Sequence, residues 1–256
     1  MPNYTKTRIK MKGISELPIF SEEDGEKFLD FNKIISMPKE LNIEQGTITE
    51  DSTMYYLTEK CTIPVECLGA EELKIVKNVC GGLFSDNIKY LNSEFIKIMK
   101  YTVKLPNHKK NDLYEKGKTY VNNYKKYDGC VTWYDWRQKN WGTKWNSCST
   151  DIIDKDTVEI QTAWSYPEPI IVKISQMCPD SVVEILWADE DMGYNSGCRF
   201  CKDGIFFKGG EYKNCSNESY EAYTSLFKES NCLYKDDKGN WKNGIVKIVL
   251  DAKYEF

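Results

Sequence analysis

Polar and apolar residues alternate strictly at the head of the chain. Tyr4, Lys6, Arg8 and Lys10 fall on one side and Thr5, Thr7, Ile9 and Met11 on the other, the period of a half-exposed strand, which Gly13 ends. A loop-like Leu17 to Gly25 follows, then the apolar Phe28, Phe31, Ile34 and Ile35, closed by Met37–Pro38. From Leu41 to Gly82 the pattern is mixed. Thr53 to Leu57 fits a short strand, whereas Leu73, Val76 and Val79 predict a helix over Gly69 to Val79 that Gly81–Gly82 ends. Ser85 and Asp86 offer an N-cap to a stronger helix with Ile88, Leu91, Phe95, Ile96 and Met99 on one face. Beyond Pro106, Asn111 or Asp112 begins another, with Leu113, Tyr114, Tyr120, Val121 and Tyr124 inward, and Asp128–Gly129 closes this half.

The second half opens on a dense group of indoles. Trp133, Trp136, Trp141 and Trp145 are spaced by three, five and four, neither alternating nor cleanly helical, and read as a strand end entering a tight turn at Asn140 to Thr143. Asp151 to Asp156 is a polar connection. Thr157 to Trp164 is then a strand, Pro167 to Cys178 a helix with Pro169 near its first position, and Val182 to Ala188 a buried strand. Asn195 to Lys202 and Ile205 to Tyr212 flank Asp203–Gly204, a favoured hairpin turn. Glu218 to Lys228 is a short helix, Asp237 to Gly239 a turn between Cys232 to Lys235 and Trp241, and Gly244 to Phe256 a closing strand. Strand, helix, strand and hairpin in succession predict a ferredoxin-like half. The expected fold is α+β: an antiparallel sheet with helices packed on one face, an N-terminal half over 1–128 and a ferredoxin-like half over 129–256, joined as one compact unit.

Three phrases carry a resemblance. W-x-x-W at Trp133 and Trp136, N-W-G-T-K-W from Asn140 to Trp145, the strand ending at Trp164 and the helix at Pro169 are similar to the YubB-like family of plasmid and phage proteins. So are F-N-K-I-I-S-M-P at Phe31 to Pro38, behind the opening strand, and W-A-D-E-D-M-G-Y-N-S-G at Trp187 to Gly197. Together they cover most of the C-terminal half and roughly forty N-terminal residues, leaving Asn42 to Lys126 unmatched. The resemblance implies a ferredoxin-like α+β domain, without an iron–sulfur cluster, and a mobile-element origin; it implies no activity.

Composition narrows the classes. With 256 residues, 41% of them hydrophobic, the chain buries a real core, and a mean hydropathy of −0.58 with no run of eighteen apolar residues fits a protein of the host cytoplasm rather than the membrane. Its ten cysteines, with no apolar signal segment before them, read as free thiols. The net charge of −4 is unevenly spread: Lys97 to Trp145 holds twelve Lys or Arg against four Asp or Glu, a segment at +8 that hints at an anionic partner. The lysine-rich helices before Asp128 read as core-packed, their apolar stripe no wider than a core-facing one.

Little of this points to catalysis. His108 is the only histidine, and no phosphate-binding or dinucleotide-binding glycine motif is present, so neither a histidine-based active site nor a nucleotide cofactor is expected. No metal site is expected either; the residues that would supply one are Cys198 with Cys201, at metal-type spacing, and Asp189 with Asp191, strand-end acids of the kind that hold Mg²⁺ in nucleases. Trp133, Trp136, Arg137, Lys139, Trp141, Lys144 and Trp145 form the candidate binding set, since indoles stack on bases or anchor protein interfaces and lysines meet phosphates. At least two of the four indoles are expected inside. The leading expectation is a non-enzymatic mobile-element protein, free of cofactors, that engages a host protein or ribonucleoprotein and inhibits a defence system such as CRISPR-Cas or nucleotide signalling. A nucleic-acid-binding accessory of replication or transfer, or one taking a nucleotide ligand, is the alternative, and a carboxylate-metal nuclease a third.

Overall fold

A computed structural model describes residues 3–228 and 233–243. The strand expected over Gly244 to Phe256, and Cys232, lie outside them. In chain order the elements are β1 (Tyr4–Lys10), β2 (Phe20–Glu23), β3 (Glu26–Leu29), α1 (Phe31–Ile34), α2 (Thr47–Leu57), α3 (Ala70–Cys80), α4 (Ile88–Val103), α5 (Asn107–Lys126) and α6 (Trp133–Trp141). There follow β4 (Ser149–Asp154), β5 (Thr157–Ala163), α7 (Glu168–Met177), β6 (Val183–Asp189), β7 (Gly197–Lys202), β8 (Ile205–Glu211), α8 (Asn217–Phe227), β9 (Leu233–Lys235) and β10 (Trp241–Asn243). They group into two units, Met1–Ser36 with Arg137–Phe256, and Met37–Trp136. No helix among the described residues is long and apolar enough to cross a membrane.

The first unit is built on a six-stranded antiparallel sheet in the order β4-β5-β1-β6-β7-β8. β5 and β6 run parallel to each other, joined through α7, and β1 fills the slot between them: a split βαβ arrangement whose central strand comes from the far end of the sequence. Its register sets Thr7 opposite both Ile160 and Trp187, so the alternation predicted at Tyr4 to Lys10 buries Thr5, Thr7 and Ile9 on one face. Helices lie against both faces rather than one. Glu168, opening α7, meets Arg199 on the face of Ile185 and Trp187 at 2.7 Å, whereas Ala222 and Leu226 of α8 pack on Ala188 and Leu186 on the other face. Beneath α8 the buried Glu159 receives Arg8 at 2.6 Å, and Arg8 reaches on to the Ser225 carbonyl at 2.9 Å. That second link matters, because a buried pair is stable only when its remaining hydrogen-bonding capacity is filled.

Two segments of this unit differ from the expected reading. Leu17 to Gly25 is not a plain loop: β2 and β3 form a hairpin about Asp24–Gly25, both at positive φ (52° and 83°). Asp151 to Asp156 is not a bare connection either, since β4 takes up its first part and forms the edge beside β5. Hydrogen-bonding to β5 ordered a stretch that has no apolar pattern of its own.

The second unit is helical, α2 to α5 around Met54, Val65, Ile75, Val76, Leu91, Ile98, Leu113 and Val121. Thr53 to Leu57, expected as a strand, is the end of α2. That helix is buried at Ser52, Thr53, Met54 and Tyr55 in succession, and a helix covered on most sides shows no 3.6-residue period. It crosses α5 at Gly117, where a Cβ would lie 2.0 Å from the Ser52 carbonyl oxygen; only glycine admits that approach. Asn87, not Ser85 or Asp86, caps α4, its side chain accepting from the Lys89 and Tyr90 amides at 3.1 and 3.2 Å. α5 opens directly after Pro106 rather than at Asn111 or Asp112.

Candidate functional site

The indole-rich stretch is a helix, not a strand end. α6 runs from Trp133 to Trp141, and Gly142, at φ 76°, ends it, its amide donating to the Gln138 carbonyl at 3.2 Å. The glycine is required twice over, for the left-handed backbone and because a Cβ would sit 2.7 Å from Pro169 Cδ. Two of the four indoles are interior, as expected: Trp136 and Trp141 are buried, and Trp133 and Trp145 are half-buried. Trp133 and Trp136 belong to the helical unit, Arg137 onward to the sheet unit. Trp141 donates to the Ile35 carbonyl at 2.9 Å, meets the Phe31 ring edge-on and carries Arg137 over its own ring at 4.9 Å. Lys139 is exposed. Trp136, Trp141 and Arg137 therefore serve packing in the first place.

The loop after α6 is tied to the end of β5. Thr143 donates to the Ala163 carbonyl at 2.7 Å and Ser165 to the Gly142 carbonyl at 2.5 Å. This brings Lys144 between two rings, its Nζ 4.8 Å from the centroid of Trp145 and 5.1 Å from that of Trp164. Trp164 is 40% exposed and adopts φ 70°, a left-handed conformation that costs a bulky residue of order 1–3 kcal/mol. The strain is held by its neighbours: the Trp164 amide donates to the Asn3 carbonyl and the Asn195 side chain donates to the Trp164 carbonyl, both at 2.9 Å. Lys144 and Trp145 of the sequence-derived set thus gather with Trp164, and Asn3 and Asn195 position them. Nothing in the sequence marks Trp164 as left-handed or the two asparagines as its supports; only the density of indoles points to the place.

Beside this rim lies Asp189, buried at the end of β6. Its carboxylate accepts from Asn195 (3.0 Å), Thr5 (3.3 Å), Asn3 (3.4 Å) and the Asp191 amide (2.9 Å), so it closes the strand ends rather than facing solvent. Asp191 accepts from Asn3 at 2.9 Å, and Glu190 is exposed. Cys198 and Cys201 are not brought together: Cys201 is buried opposite Val183, Cys198 stands half-buried opposite Leu186 on the other face, and burial raises the Cys198 thiol above its ordinary pKa. Among the described residues no three His, Cys, Asp or Glu side chains converge as metal ligands. A separate cleft of about 760 Å³ between the β2–β3 hairpin and β4 is lined by Glu23, Asp24, Glu26 and Asp151 against Lys27.

Residues 140–225 match the family described as the ferredoxin-like domain in Api92-like protein. The matched stretch runs from the end of α6 into α8, the α+β part of the sheet unit, and the C-terminal region is a ferredoxin-like domain. No curated protein matches the chain in sequence. Among solved structures, the crystal structure of the protein api92 from Yersinia pseudotuberculosis is similar over 83% of this chain and 99% of that one, at 11% identity and a TM-score of 0.31.

Proposed function

We propose that this chain is a non-catalytic binding protein whose recognition surface is the Trp145–Lys144–Trp164 rim, and that its partner is a host protein or ribonucleoprotein. In the phage or plasmid setting implied by the resemblance to YubB-like proteins, that engagement takes place in the host cytoplasm and inhibits a defence system such as CRISPR-Cas or nucleotide signalling. The observation that carries the binding reading is Trp164, a large indole kept partly exposed in a strained backbone by hydrogen bonds from both sides. Strain of this kind is maintained where a side chain must point somewhere that packing alone would not send it. Tryptophan is also the residue most enriched among interface hot spots. A protein partner suits the rim better than a bare nucleic acid, because the exposed Glu190 and Asp191 follow Asp189, the residue Asn195 links to Trp164, and carboxylates there repel phosphate. The enclosed hydrogen-bonding of Asp189 weighs in the same way against a carboxylate-metal nuclease.

Capture from a host lysate with the tagged full-length chain, in a salt series and with both protein and RNA identified, tests this. The expected result is a host protein or ribonucleoprotein retained at raised salt and lost on Trp164→Ala. Retention of nucleic acid alone, falling steeply with salt, assigns the accessory role instead; Mg²⁺-dependent cleavage abolished by Asp189→Ala assigns the nuclease.

A further inference from the structure

α4 carries more apolar surface than its own unit covers. Stepping about 100° per residue around the helix, Leu91, Ile98 and Thr102 face the core and are buried. The adjoining sector holds Ile88, Ile96, Met99 and Val103, which are 38%, 43%, 36% and 73% exposed. The sector beyond that is basic, with Lys89, Lys97, Lys100 and Lys104 in a row. From Phe95 to Asn111 the chain has no Asp or Glu, and Lys109 and Lys110 follow in the first turn of α5. Lys97 is bridged to Glu94 one turn earlier. The apolar stripe is therefore wider than a core-facing one, contrary to the expectation from sequence.

We propose that this face of α4 docks on the anionic phospholipid headgroups of a bilayer, the helix lying in the interfacial plane. Ile96, Met99 and Val103 enter the acyl boundary, and Lys97, Lys100 and Lys104 meet the phosphates, as amphipathic helices with a lysine-bearing polar face do. Ile88 to Val103 spans roughly 22 Å at the α-helical rise, an apolar edge that the half-buried Asn92 interrupts, with cations along one flank and the protein core behind the other. Charge decides among occupants. A second copy would bring lysine rows together with no carboxylate between Phe95 and Asn111 to answer them. A protein would have to place an acid opposite each lysine, whereas an acidic bilayer presents anions wherever the flexible lysine stems reach. This surface is independent of the tryptophan rim.

Co-sedimentation of the full-length chain with vesicles of phosphatidylglycerol in phosphatidylcholine, against phosphatidylcholine alone, tests the proposal. Binding to the acidic vesicles is expected, weakening with salt, and falling roughly a hundredfold when Lys97→Gln, Lys100→Gln and Lys104→Gln are combined. Val103→Asp, at a position too exposed to disturb folding, lowers it roughly tenfold with an unchanged circular dichroism spectrum. Equal binding of wild type and both variants, or no preference for acidic vesicles, overturns the proposal. So does capture of an acidic protein that Val103→Asp abolishes while the vesicles retain nothing, which gives the face to a protein partner.

Discussion

The Trp141 indole N–H donates to the Ile35 carbonyl at 2.9 Å, across 106 residues of sequence. Phe31 meets the same indole edge-on, and Asn146 accepts from the Phe31 amide at 2.8 Å while donating to Asp30 at 2.9 Å. Two of the phrases that carry the family resemblance, one on each side in sequence of the helical segment 37–136, thus meet in a single packed joint. It fixes the start of the loop that delivers Lys144 to its two indoles.

Trp141→Phe removes the donor and part of the volume at a position with no solvent exposure. The Ile35 carbonyl loses its indole partner and a cavity opens, for an expected loss of about 2–4 kcal/mol in chemical denaturation. A change below about 0.5 kcal/mol would show that the joint is not what anchors this loop.

Gly117→Ala forces a methyl group against the Ser52 carbonyl and Tyr56 Cβ, at 2.0 and 2.7 Å. The Ser52 backbone and the Tyr56 Cβ, neither of them the end of a flexible side chain, prevent an easy yield, so α2 and α5 must separate. The expected destabilisation is about 1–3 kcal/mol or more, against the slight gain alanine ordinarily brings to a helix interior. Thermal melting of the variant decides the sign.

The left-handed backbone of Trp164 reverses a familiar order. Trp164→Gly should be more stable than Trp164→Ala by about 1 kcal/mol, because alanine keeps the steric penalty at φ 70° and glycine does not. Equal stabilities in denaturant titration would contradict the conformation.

Burial, then the Asp51 and Glu94 charges, raises the Glu50 carboxyl above its usual range, and burial followed by Glu94 does the same for Asp51. For a carboxyl raised in the folded state, the stabilising contribution is complete below the unfolded pKa and is lost as pH rises through the folded one. Glu94→Gln removes the shared repulsion, so the melting temperature of the variant relative to wild type should climb as pH rises through and above the ordinary carboxylate range. The Lys97 partner that this substitution also removes is solvent-exposed and opposes the trend only weakly. A difference that stays flat with pH would show that Glu94 does not act on the pair.

Strands and helices with a clean period were legible in the sequence: β1, β5, α7, β6 and the Asp203–Gly204 hairpin stand where alternation and turn chemistry put them. The Asp24–Gly25 turn carries the same signal, but its flanks are charged and the hairpin was masked. α6 was hidden for another reason. Its indoles serve different surroundings, Trp136 and Trp141 buried and Trp133 half-exposed, so no single stripe forms. That β1 lies between β5 and β6 is set by pairing across some 150 to 180 residues, which no local pattern encodes. Of the proposed rim, Lys144 and Trp145 stand out in the sequence through indole density alone; Trp164 joins them through a backbone conformation that only the assembled strand ends impose.

The most direct test of the proposed recognition rim compares wild type with the double variant Trp145→Ala and Trp164→Ala, measuring affinity for whatever host partner is captured and melting temperature on the same samples. At least a tenfold loss of affinity, with melting lowered by no more than two partly exposed side chains explain, is the predicted result. Undiminished binding by a folded double variant would contradict it.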